Sequence, residues 1–131
     1  MLKLSKTIEY ALMSINHINQ CDKGNPIPVK KISTKHNIPF ELLAKILQKL
    51  SKANILKAIQ GSKGGYKLND KYKNFTLVQL IEVLEGPFGI AGCLTDHSCE
   101  QISNCNIITP IEKINSQVYQ VLNQIKLNKI T

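Results

Sequence analysis

Apolar residues recur at helical spacing from the start of the chain. Leu4, Ile8, Leu12, Ile15 and Ile18 fall at three- and four-residue steps, which predicts an amphipathic helix over residues 4–19. The run Cys21-Asp22-Lys23-Gly24-Asn25-Pro26 breaks it. A short helix from Val29 to His36 and a tight turn at Asn37-Ile38-Pro39 then lead into a longer helix carrying Leu42, Leu43, Ile46, Leu47 and Leu50. These are the proportions of a helix-turn-helix. Two strand-like runs, ILKAIQ and YKLND, follow on either side of GSKGG. They read as a β-hairpin in which Gly61, Gly64 and Gly65 supply positive φ or close backbone approach. A helix-turn-helix followed directly by such a hairpin is a winged helix.

Helical spacing returns at Leu77–Leu84, with Thr76 as N-cap and Glu85-Gly86-Pro87 as the stop. Residues 86–108 have no sustained period. Thr109-Pro110-Ile111-Glu112 then combines a capping box with proline at the first helical position, a start signal for a last long helix. Its stripe of Ile111, Ile114, Val118, Val121 and Ile125, widened by Leu122, suits packing against a second helix, and a homodimer is the economical expectation. The fold class expected is mainly α with a small β-hairpin wing: a winged helix-turn-helix plus a long C-terminal dimerisation helix. Residues 1–75 form the winged-helix DNA-binding part, and residues 76–131 the cysteine loop and dimerisation helix of the same single domain.

The 131 residues match one domain, and their charge is uneven. Residues 1–75 hold 14 Lys against Glu9, Asp22, Glu41 and Asp70, a net of +10, whereas residues 76–131 hold Lys113, Lys126 and Lys129 against five acids, a net of −2. One end is built to meet an anion. Lys63 falls at the wing tip, Lys57 and Lys67 on its strands, and Lys45, Lys49 and Lys52 on the second helix of the motif. All 17 basic residues are Lys, so bidentate guanidinium reading of guanine is excluded and phosphates must be met by point charges. The opening apolar residues are interrupted by Lys3, Lys6 and Glu9 and lack a small-residue cleavage site, which leaves no membrane partner and a cytoplasmic location as the expectation.

Three of four cysteines lie within thirteen residues, as C-x5-C-x5-C at Cys93, Cys99 and Cys105. Zinc sites commonly use pairs two to four residues apart. Wider spacing suits a larger object, such as an iron–sulfur cluster that takes one thiolate per iron. Buried structural thiols, a regulatory disulfide, or zinc completed by His97 are the other readings. A cluster would need a fourth ligand, for which Asp96, His97, Glu9 and His17 are the candidates. An electron-transfer role is disfavoured by the absence of a fourth cysteine near the loop, and an enzyme by the absence of a phosphate-cradling motif or a nucleophile–base pairing.

The segments LSKTIEYAL, IPFELLAKILQKLSKANIL and GSKGGYKL, with three cysteines ahead of a long terminal helix, carry a specific resemblance. From end to end the chain resembles the Rrf-two family of bacterial winged-helix transcription regulators, and VLEGPFGIAGC is most similar to its SUF-operon members. The resemblance implies a homodimer through the terminal helix, a recognition helix in the major groove and a wing at the minor groove of operator DNA. It also implies an iron–sulfur cluster on Cys93, Cys99 and Cys105. Ile108 stands where members with a 2Fe-2S cluster have a histidine, while Glu9 matches the acidic residue that completes a 4Fe-4S cluster in others. Glu41, Lys45, Gln60 and Lys63 are the residues expected to meet DNA, with Gln60 replacing a family arginine and Ala44 a family glutamate. The implied function is a transcription regulator, not an enzyme, that senses cluster, redox or nitric oxide status and controls cluster-assembly genes. A cluster-free thiol or zinc regulator of the same fold is the alternative.

Overall fold

The computed structural model describes residues 3–21, 24–95 and 99–131. Helices α1 (Lys6–Gln20), α2 (Val29–His36) and α3 (Phe40–Lys52) are followed by an antiparallel hairpin of β1 (Leu56–Ile59) and β2 (Gly65–Leu68). Then come α4 (Leu77–Glu85), the long α5 (Ile108–Asn123) and the single-turn α6 (Leu127–Ile130). Short 3-10 turns occupy Asp70–Asn74, Gly92–Leu94 and Ile102–Asn104. The fold is mainly helical with a small wing and a long C-terminal helix.

The periodic positions of α1 do what their spacing predicts. Ile8, Ile15 and Ile18 are buried, together with Ala11, and meet Ile32 of α2, Leu43, Leu47 and Leu50 of α3, and Leu80 of α4 in one core. Ser5 caps α1 by accepting from the Ile8 N–H at 3.3 Å, and its hydroxyl also donates to the Glu85 carboxylate at the end of α4. Thr76 forms the capping box of α4 with Gln79, whose side-chain oxygen accepts from the Thr76 N–H at 2.8 Å.

The C-terminal end of the chain returns to this core. The Leu77 N–H donates to the Ile125 carbonyl and the Leu127 N–H to that of Phe75, each at 2.9 Å, and the Thr76 hydroxyl donates to Asn123 Oδ1 at 2.9 Å. Leu127 is fully buried. Sequence periodicity ends before this plug, and one helical turn is too short to leave a signal.

The start of α5 differs from expectation. It begins at Ile108 after Ile107, with no side-chain cap, so Thr109 and Pro110 lie inside its first turn. Proline is tolerated there because first-turn N–H groups have no partner within the helix. The apolar stripe also divides in two. Leu122 and Ile125 pack against the core and Ile111 and Val118 are half-buried, whereas Ile107, Ile114 and Val121, seven residues apart, are 51%, 51% and 60% exposed. No described α5 residue is fully buried within the single chain. That outer row suits a symmetric helix-to-helix contact and hence dimerisation. Among the described residues, no helix is long and apolar enough to cross a membrane.

Candidate nucleic-acid interface

α2 buries only Ile32, and ends where Asn37 takes the left-handed conformation at φ 53°, ψ 48°. Asparagine tolerates this geometry better than most side chains. The Ile38 N–H donates to the Ser33 carbonyl at 3.0 Å, and the Ser33 hydroxyl donates to the Ile38 carbonyl at 2.6 Å, which locks the turn. Pro39 then starts α3, whose Leu43, Ile46, Leu47 and Leu50 face the core. Their burial fixes the opposite face: Glu41, Lys45, Gln48 and Lys52 are all exposed along it. Glu41 and Lys45 therefore lie together on the exposed face of α3. Gln48 shares that face and was overlooked by sequence reading, although its seven-residue offset from Glu41 was available; an amide can pair with adenine N6 and N7.

The wing pairs Leu56 with Leu68, Lys57 with Lys67, Ala58 with Tyr66 and Ile59 with Gly65. Ile27 adds a one-residue third strand, exchanging N–H···O bonds of 2.8 and 2.9 Å with Tyr66. Gly65, at φ 149°, permits that approach, because a Cβ there would lie 2.4 Å from the Ile27 carbonyl carbon and oxygen. Gln60 and Lys63 are exposed at the tip.

Electrostatically this face is dominated by lysine. Among the described residues the one ion pair is Lys6–Glu9 at 3.0 Å, so no described carboxylate forms an ion pair with the lysines of α3 and the hairpin. Lys57 and Lys67 even stand directly opposite each other, an arrangement that costs energy in a free hairpin. Such a surface suits the phosphates of a duplex.

The cysteine positions do not support the expected cluster. Cys93 is buried in the turn Gly92–Leu94, Cys99 is exposed, and Cys105 is half-buried after the turn Ile102–Asn104; all are free thiols. Among the described residues no group of three or more Cys, His, Asp or Glu side chains could hold a metal ion. This corrects the iron–sulfur expectation and, with it, Cys93, Cys99, Cys105 and Glu9 as a ligand set. The physical reason is that separate 3-10 turns place the thiols in different surroundings, and Glu9 is engaged with Lys6, whose proton it holds more firmly by hydrogen bond and charge. Asp96 and His97 lie outside the described residues. His17 is buried and pairs with His36, remote from the thiols in sequence and in bonding.

Together, helix-turn-helix, wing, free lysine face and long outer helix define a winged-helix DNA-binding protein of dimerising type. A family model described as Rrf2, iron-dependent transcriptional regulator, matches residues 4–131, and the chain belongs to that family. It is 23% identical over 129 residues to the transcriptional regulator IscR of Vibrio campbellii, covering 98% of this chain and 77% of that protein. Among solved structures it is similar to CymR (YrzC), the global cysteine regulator of B. subtilis, at 28% identity and a TM-score of 0.72 over 98% of this chain and 95% of that one. T. potens IscR has the same fold at 23% identity and a TM-score of 0.70, covering 97% and 84%. Family and fold are those of non-catalytic transcriptional regulators.

Proposed function

We propose that this chain acts as a homodimeric regulator that binds a roughly palindromic operator, with Glu41, Lys45 and Gln48 of each α3 at base edges and Gln60 and Lys63 of each wing at the neighbouring groove. The observation that carries this reading is the lysine-rich face formed by α3 and the hairpin, on which Glu41 is the acidic residue of α3. Two recognition helices about one helical turn apart would read two half-sites. In this reading residues 1–75 do the DNA binding and residues 76–131 the dimerisation, as parts of one domain.

The test is a duplex selected by this protein from a random-sequence pool, followed by binding at several salt concentrations. Affinity is expected to fall steeply with salt. Lys63→Ala should weaken binding to all sequences alike and reduce the logarithmic salt slope by about 0.9 per wing that loses one phosphate contact. A salt-independent affinity would remove the basic face from the mechanism.

For the signal, the favoured reading is thiol chemistry at the loop joining α4 to α5. Cys99 is exposed and Cys105 half-buried, both as free thiols. Oxidation by diamide is expected to change operator affinity by about 5- to 150-fold, the usual range of allosteric coupling, and Cys99→Ser should abolish that response. An unchanged affinity after complete thiol oxidation would leave the DNA reading intact and discard the thiol one.

A further inference from the structure

α1 and the first helix of the helix-turn-helix are joined by a histidine pair. His17 Nδ1 lies 2.9 Å from His36 Nε2, with the rings edge-to-face at 82° and their centroids 5.0 Å apart. Among the described residues it is the one polar side-chain link between α1 and α2. His17 is 7% exposed and its other nitrogen, Nε2, is buried without a hydrogen-bond partner. His36 is the last residue of α2, immediately before the Asn37 turn that aims α3.

Proton counting shows what this arrangement tolerates. Of the two neutral arrangements, the one in which Nδ1–H of His17 donates to Nε2 of His36 is favoured, because it leaves the buried Nε2 a bare lone pair and the other would bury an N–H with no acceptor. Adding one proton while keeping the hydrogen bond always protonates His17 Nε2, which leaves a buried N–H with no acceptor. Placing the proton on the bridge instead sets two N–H groups face to face. Either outcome carries the penalty of an unsatisfied buried donor or of a broken bond. Among the described residues, the titratable groups that act on His17 are His36, Lys31 and Lys35, all on α2 and all cationic when charged.

We propose that His17 and His36 are a positioning pair that holds α2 in its DNA-reading place only while the pair carries no added proton, so that operator affinity falls on acidification. This rests on the operator-binding reading above. Burial first, then His36, Lys31 and Lys35, keep His17 below the ordinary histidine range. The unfolded or opened chain therefore takes the proton more readily; stability is complete above about pH 6.5 and declines as pH falls through that value. The sign is diagnostic, because added positive charge on a DNA-binding protein strengthens phosphate attraction and by itself predicts tighter binding in acid.

The experiment is a titration of the selected duplex between pH 7.5 and 5.5 at constant ionic strength, with ring 15N–1H spectra of the free protein. Affinity is expected to fall by up to about tenfold between pH 7.5 and 5.5, the limit for one proton taken up only when the tie has opened. His36→Gln supplies an amide oxygen that accepts from the same Nδ1–H and does not titrate; it should match the unsubstituted protein at pH 7.5 and lose less affinity in acid. His17→Leu should bind more weakly and vary little with pH. The spectra should show His17 protonated at Nδ1 and bare at Nε2 at pH 7.5. Affinity that is constant or rises in acid, an undiminished acid loss in His17→Leu, or a proton on Nε2 of His17 would each overturn the proposal. If no duplex is selected at any pH, the operator reading fails, and the ring spectra still decide whether the tie exists.

Discussion

An aspartate in place of Val121 is expected to convert the dimer into monomers that keep their fold and lose operator binding. Val121 is 60% exposed in the single chain, so the substitution leaves the core intact and the far-ultraviolet spectrum should not change. In a two-fold interface it is counted twice. Losing the burial of one apolar side chain costs about 1.5–3 kcal/mol, so two copies lose about 3–6 kcal/mol, before any charge is desolvated. That range corresponds to roughly a 10²- to 10⁴-fold weaker dimer. Ile114→Asp, seven residues earlier on the same row, should act alike, while Gln117→Asp should do much less if the row defines the contact. Sedimentation equilibrium measures the change, and DNA affinity should drop with it because two recognition helices no longer arrive together. A V121D chain that remains fully dimeric would place the interface elsewhere.

The second large effect is expected at Gly65. An alanine Cβ there would stand 2.4 Å from the Ile27 carbonyl, and backbone atoms cannot turn aside as a flexible side chain does. Relief requires separating Ile27 from β2, with loss of the two hydrogen bonds to Tyr66. Overpacking costs typically 1–3 kcal/mol and backbone strain at an unfavourable φ a similar amount, so G65A should lower stability by about 2–6 kcal/mol in a denaturant titration. Displacement of the wing should reduce DNA affinity more than Lys63→Ala does. Gly61→Ala is the control: φ is 109° there, but a Cβ meets open space, so the strain acts without the collision. Equal losses from the two substitutions would mean that the Ile27 contact contributes little.

Much of this architecture is legible in the residues because its signals are local. The strand-like runs on either side of GSKGG and the leucine spacing of α3 give the hairpin and the exposed face of α3, and Thr76 caps α4 as its side chain suggests. What escapes local reading is contact between distant segments. Ile27 joins the wing through a single residue pair, and Leu127 enters the core from a helix of one turn. Nothing in the spacing of His17 and His36 announces that they meet. The cysteines fail in the opposite direction: C-x5-C-x5-C is a compact pattern in sequence, yet among the described residues it yields no group of side chains able to hold a metal ion. Proximity along a chain becomes proximity in space only where the backbone between is regular or sharply turned.

The uneven fastening of α5 makes it a lever with a defined fulcrum. Its last turns are fixed to the DNA-binding half through Asn123, Ile125 and the Leu127 plug, while among the described residues its earlier part is held by an Asn115–Ile90 hydrogen bond of 2.9 Å, the Phe88–Tyr119 ring contact and the half-buried side chains of Ile111 and Val118. The cysteine loop feeds the loosely held end. In the thiol reading proposed above, chemistry at Cys99 or Cys105 therefore acts at the end of α5 farther along the chain from the Leu127 plug.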